Sequence, residues 1–138
     1  MSLADNAAAV RSKLDTHAQQ IFLNYFDKFP QHQDVFDKYR GKSRSDLPKV
    51  PRFPVHTKSV VDAMLKIAER AGTDSGKLNS EAQVLKDMSQ HVGLSSVHFR
   101  DLFTVVVPYF KDVLGSSCNS GWATFGNNLV SGLQKAGM

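Results

Sequence analysis

Only one cysteine, Cys118, occurs among the 138 residues, which excludes an internal disulfide and any zinc site built from several thiolates. A reducing compartment is the expectation. No apolar run approaches the ~20 residues that cross a bilayer, and the opening MSLADNAAAV has no basic segment followed by an apolar core. The chain therefore reads as soluble and intracellular, without a membrane partner. No segment alternates apolar and polar residues convincingly, so strands are not expected. Internal repeats and linker-like stretches are also missing, which leaves one domain over 1–138. Charge is modestly unbalanced, at 17 basic against 13 acidic residues, too little for a nucleic-acid footprint. The densest basic run, Lys38, Arg40, Lys42 and Arg44, is broken by Tyr39, Gly41 and Ser43 and reads first as a solvated turn.

Apolar residues instead recur every three or four positions, the period of helices buried on one side. Helices are expected near 3–13 and 15–29, the second stopping where Pro30 disfavours helix in the residue before it. A short helix over 30–36 and a polar basic loop follow. Three prolines, Pro48, Pro51 and Pro54, keep the chain extended until a helix at 54–71, whose inward face runs His56, Val60, Met64, Ile67 and Ala71. Gly72 to Gly76 reads as a loop. The Ser80 to Gln83 segment has a capping-box pattern for a helix at 81–92, with Val84, Leu85, Met88 and His91 inward. Helices at 96–114, interrupted by Pro108, and at 121–136 complete an all-α fold of seven to eight helices.

Two of the five histidines stand out. His56 opens one apolar stripe and His91 closes another, whereas His17, His32 and His98 have no inward partner in the sequence and default to surface or capping roles. A histidine on an apolar face is ordinarily a hydrogen-bonded core residue. Two of them on separate helices favour a ligand role. Structural zinc wants four nitrogen or thiolate ligands and is not served by two histidines. Haem is better served, because the porphyrin supplies four ligands and the protein need add one histidine and an apolar slot.

Pro30 followed by Phe36, His56 with Val60 one turn on, and His91 preceded by Leu85 and Met88 form an ordered set in which the chain resembles the globins over nearly its whole length. Within that family, IFLNYF, FDKYRGKS, FPVHTK, MSQH and WATFGNNLVSGLQKAGM look most like annelid coelomic haemoglobins of the dehaloperoxidase type. The resemblance implies haem b with His91 as the proximal iron ligand, its Nδ1–H donating to an upstream carbonyl of Leu85 or Asp87. It implies that His56 is the distal residue, donating to O2 or another diatomic ligand.

The same resemblance has Phe36 wedged against the porphyrin, Phe22 over the distal pocket, Val60 limiting its height, and Phe99, Leu102 and Phe103 walling the proximal side. Each of these is equally at home as plain core. Haem carboxylates would meet Lys42, Arg44 or Arg52, with Lys42 preferred.

Three activities stay open at this point. One is reversible O2 binding at a five-coordinate iron, for storage or transport, by a monomer or weak homodimer. Another is peroxidase chemistry, with His56 as the acid and base acting on hydrogen peroxide and small halogenated phenols as substrates. A third is a bis-histidine sensor or electron-transfer globin in which His56 itself binds iron. For peroxidase chemistry a distal arginine and a proximal carboxylate are wanted, and Arg52 and Asp87 are insecure candidates. Tyr25, Tyr39 and Trp122 are candidates to carry radicals in that reading but read first as packing residues. Pro51 and Pro54 just ahead of His56 leave its helical turn short of internal hydrogen bonds, which predicts a His56 that swings between pocket and solvent.

Overall fold

A computed structural model covers residues 1–138. Seven α-helices make up the fold: α1 Leu3–Arg11, α2 Leu14–Lys28, α3 Pro30–Gln33, α4 Arg52–Ala71, α5 Ser75–Asp87, α6 Ser96–Leu114 and α7 Trp122–Lys135. Short 3-10 turns lie at Leu47–Lys49, Ser89–His91 and Gly115–Ser117. There are no strands, as the missing alternation predicts.

The helix ends follow from local chemistry. Ser2 and Asp5 form a reciprocal capping box on α1, and Ser95 and His98 form another on α6. Helices α4 and α6 stop at Gly72 and Gly115, whose φ values of 55° and 57° are costly for a residue with a Cβ. Pro108 stays inside α6 without ending it.

Several sequence expectations need correction. Helix α4 starts at Arg52, two residues before the expected Pro54. Proline is tolerated there because first-turn amides have no intrahelical acceptor, and buried Phe53 anchors the turn while its amide donates to Val50 O at 2.9 Å. Helix α5 starts at Ser75, not 81, because Asp74 accepts from the Lys77 amide at 2.9 Å and caps it. The expected cap, Ser80, lies mid-helix with its hydroxyl turned back to Gly76 O. Helix α5 then ends at Asp87, so His91 sits on a separate 3-10 turn and Val84 faces solvent at 65% exposure. The short helix α3 covers only Pro30–Gln33.

Packing arranges α5 on α7, α2 on α4, α6 on α7 and α1 on α4. Trp122, Phe110, Phe125, Leu65 and Ile21 are fully buried at the centre, each contributing roughly 1.5–3 kcal/mol by removing apolar surface from water. Helix α7 comes close to its neighbours through two glycines. A Cβ at Gly126 would lie 2.8 Å from the Phe103 ring, and one at Gly132 would lie 3.0 Å from Ala82 Cβ. Buried Asn6 ties α1 to the corner between α6 and α7: its Oδ1 accepts from Trp122 Nε1 at 3.0 Å and from the Asn119 amide at 2.6 Å.

Candidate functional site

A cavity of about 400 Å3 opens between α2, α4, the His91 turn and α6, and 15 of its 21 lining residues are hydrophobic. Phe22, Phe36, His56, Val60, Leu85, Met88, His91, Phe99, Leu102 and Phe103 all line it. Sequence reasoning assigned these ten to one pocket, and the fold brings them together. Lys42 does not line it. It lies in the exposed loop, while Arg44 is engaged with Asp27 and Asn24. The cation at the cavity wall is Arg52.

On one side stands His91. Its Nδ1 lies 2.6 Å from Leu85 O, and a carbonyl can only accept, so Nδ1 carries the proton. Nε2 is therefore the free lone pair, the form of imidazole that binds a metal. The Phe99 ring meets the His91 ring edge-on at 5.4 Å and 89°, which restrains its rotation. The Asp87 carboxylate is occupied with Gln83 rather than with His91.

On the other side stands His56, between Phe22 and Phe36 with ring centroids 5.7 and 5.4 Å away. Its Nδ1 is 2.9 Å from the hydroxyl of Tyr39, a completely buried residue. Burial, and then the nearby charge of Arg52, lower the His56 pKa to about 4. Burial likewise pushes the Tyr39 phenol up to about 12. Both rings are neutral across physiological pH.

One more polar group borders the site and a second lies behind it, the His32 ring 4.6 Å from that of His98. His98, at the cavity lining, accepts the Ser95 amide at its Nδ1 over 3.0 Å, so its Nε2 bears the proton. Burial holds its pKa below the usual histidine value. This bears out a capping role and adds a place on the wall. His32, expected at the surface, is instead buried and pairs through Nε2 with Asp101 at 2.8 Å. Burial would raise the Asp101 carboxyl, yet the hydrogen bonds from His32 and Arg100 outweigh it and leave it below its ordinary value.

Sequence reasoning read Tyr39 first as packing, with a radical role as the alternative and no link to His56, assigned His98 no place in the site and set Arg52 before its helix. Tyr39 lies in an irregular segment without periodicity, so nothing in the pattern relates it to a histidine 17 residues on. For Arg52, the available signal was the first-turn tolerance of Pro54.

No group of three or more His, Cys, Asp or Glu side chains is arranged to hold a bare metal ion. One imidazole lone pair on an apolar slot fits a flat cofactor that brings most of the metal's ligands with it. Arg52 and the His98 Nε2–H are available to its carboxylates.

Residues 19–133 match the family model described as Globin. A globin of Aplysia juliana is 22% identical over 135 residues, covering 98% of this chain and 93% of that protein. A globin of Chironomus thummi thummi is 26% identical over 138 residues, covering 96% of this chain and 80% of that one. Among solved structures, ferric Aplysia limacina myoglobin superposes with a TM-score of 0.73 at 21% identity, covering 100% of this chain and 99% of its own. These relatives are mollusc and insect globins, and the narrower likeness to annelid haemoglobins of the dehaloperoxidase type has no support among them.

Proposed function

This chain belongs to the globin family, and from that premise we propose that it holds one haem b in the cavity and binds O2 reversibly, as a store or carrier. The carrying observation is the bond from His91 Nδ1–H to Leu85 O at 2.6 Å, which presents Nε2 as a metal ligand at an apolar slot whose other wall carries His56. When bound, haem supplies an iron atom whose open face takes a diatomic ligand.

The chain's own residues do the rest. His91 fixes the cofactor and, through Leu85, its own ring direction. Phe22, Phe36 and Val60 keep bulk water from the ligand side, while Phe99, Leu102 and Phe103 pack the opposite side. His56 donates a hydrogen bond to a bound ligand that carries negative charge, an interaction contributing roughly 1.5–3 kcal/mol when charge-assisted. Arg52 and His98 hold the cofactor's carboxylates near the cavity mouth.

A second reading, peroxidase chemistry on small halogenated phenols, is favoured by one observation: Arg52 shares the cavity wall with His56. In that reading His56 moves a proton between the two oxygens of peroxide and Arg52 stabilises the charge that leaves. Oxygen affinity, autoxidation and peroxide-dependent oxidation of a halophenol, measured on the haem-loaded protein, separate the two. A long-lived oxygenated form with slow peroxide turnover supports the carrier. Rapid turnover with fast autoxidation overturns it.

A further inference from the structure

The Tyr39 hydroxyl has one hydrogen-bond partner in the chain, His56 Nδ1 at 2.9 Å. Tyr39 is completely buried, and its ring is wedged among Phe26, Phe36 and Phe53 with centroids 5.9, 5.7 and 5.4 Å away. The Gln33 side-chain amide donates to its backbone carbonyl at 2.7 Å and fixes the loop that carries it. Tyr39 is thus held by packing behind His56, outside the cavity lining.

The direction of this bond follows from which arrangement leaves nothing unpaired. If Nδ1–H donated to the phenol oxygen, the phenolic proton would be buried without an acceptor, a substantial desolvation cost. If the phenol donates, both groups are satisfied, and no buried side-chain nitrogen or oxygen in this protein is left unsatisfied. The phenol, kept protonated by burial, has the proton to give.

Resting on the globin reading above, we propose that Tyr39 is a positioning residue that holds His56 inside the cavity as the Nε2–H tautomer, making the distal group a fixed hydrogen-bond donor. This sets the class of ligand the site favours. A diatomic that takes on negative charge when bound, as O2 does, gains the hydrogen bond, while carbon monoxide, which takes on little, gains less. Base catalysis on peroxide needs the Nε2 lone pair, as does direct ligation of iron by His56. The Tyr39 bond opposes both, and it opposes the swinging motion that the prolines before His56 predict.

The test is a cycle of wild type, Tyr39→Phe, His56→Leu and the double variant. Tyr39→Phe keeps the ring and removes only the hydroxyl. O2 dissociation from the haem-loaded protein is expected to rise roughly threefold to tenfold in Tyr39→Phe, the size of one ordinary hydrogen bond. Carbon monoxide dissociation should change less than about twofold, because the distal donor does little for it. In the His56→Leu background the tyrosine change should have no further effect, which a general packing defect would not reproduce. Long-range 15N spectra of the ferrous, carbon monoxide-saturated protein read the tautomer directly: His56 should be protonated at Nε2 in wild type and lose that preference in Tyr39→Phe.

An Nδ1–H tautomer in wild type overturns the proposal, as does a tyrosine effect that persists without His56. A six-coordinate low-spin ferrous spectrum without added ligand also overturns it. A wild-type chain that takes up no haem fails the function proposed above and not this inference, which the ring tautomer in the haem-free chain then decides.

Discussion

His91 Nδ1 and Leu85 O lie 2.6 Å apart across the point where α5 stops. The bond joins the last turn of a helix to a separate 3-10 turn, so it both closes the gap left at Met88 and leaves Nε2 as the free ligand nitrogen. A helix end and a metal-binding tautomer are set by one contact.

Replacing His91 with Ala should therefore abolish stable haem uptake while leaving the helical content of the chain in place, since the residue is part of no α-helix. Titration of the purified variant with haem, followed by the Soret band, checks this. Saturation at one equivalent with wild-type affinity would refute the proximal assignment.

Arg52→Gln should speed haem loss to an acceptor globin by a few fold at most, because Arg52 is exposed and an exposed charge contact contributes about 1 kcal/mol or less. Lys42→Gln should have no measurable effect, since Lys42 does not line the cavity. Haem-transfer rates for the two variants, measured side by side, distinguish these outcomes.

Gly126→Ala links the core to the site. The added Cβ would lie 2.8 Å from the Phe103 ring, and Phe103 lines the cavity. Overpacking of this kind costs about 1–3 kcal/mol, and relief by moving the ring encroaches on the cofactor. Chemical denaturation should show the loss of stability, and haem affinity should fall with it.

Acid should weaken the haem-free fold in two windows. The His56 pKa is about 4 in the folded chain against an ordinary value of 6.5. Between those values the unfolded chain takes up a proton that the folded one refuses, so stability is full above about 6.5 and declines as pH falls toward about 4. His17 and His98 are lowered by burial as well and act in the same direction. His56→Leu should reduce the slope in this window without removing it. Asp62 and Glu69, held below their ordinary values by hydrogen bonds from Arg11, lose their contribution only at lower pH. Denaturant midpoints of the two proteins across pH 3–8 check both windows.

The stripe from His56 to Ala71 was legible because a long amphipathic helix repeats its signal over five positions, and a boundary error of two residues leaves its face unchanged. Helix α5 was less legible. Asp74, Ser75 and Gly76 have the composition of a loop, and only the Asp74 hydrogen bond to the Lys77 amide shows that they begin a helix. Gly126 and Gly132 carry no apolar signal at all, although they decide how near α7 lies to α5 and α6. Tyr39 and the buried pair of His32 with Asp101 were illegible for another reason: each depends on a contact between segments that no single helical period spans.

Mounting His91 on its own turn has a mechanical consequence. Met88 and Val92, on either side of Ser89–His91, both have extended backbone, with ψ of 129°, yet the turn is tied on both sides: the Met88 amide donates to Leu85 O at 3.3 Å and the Leu94 amide to His91 O at 3.0 Å. Through its Nδ1 bond to Leu85 O, a displacement of the His91 ring loads the last turn of α5 directly, and with it the contact between α5 and α7.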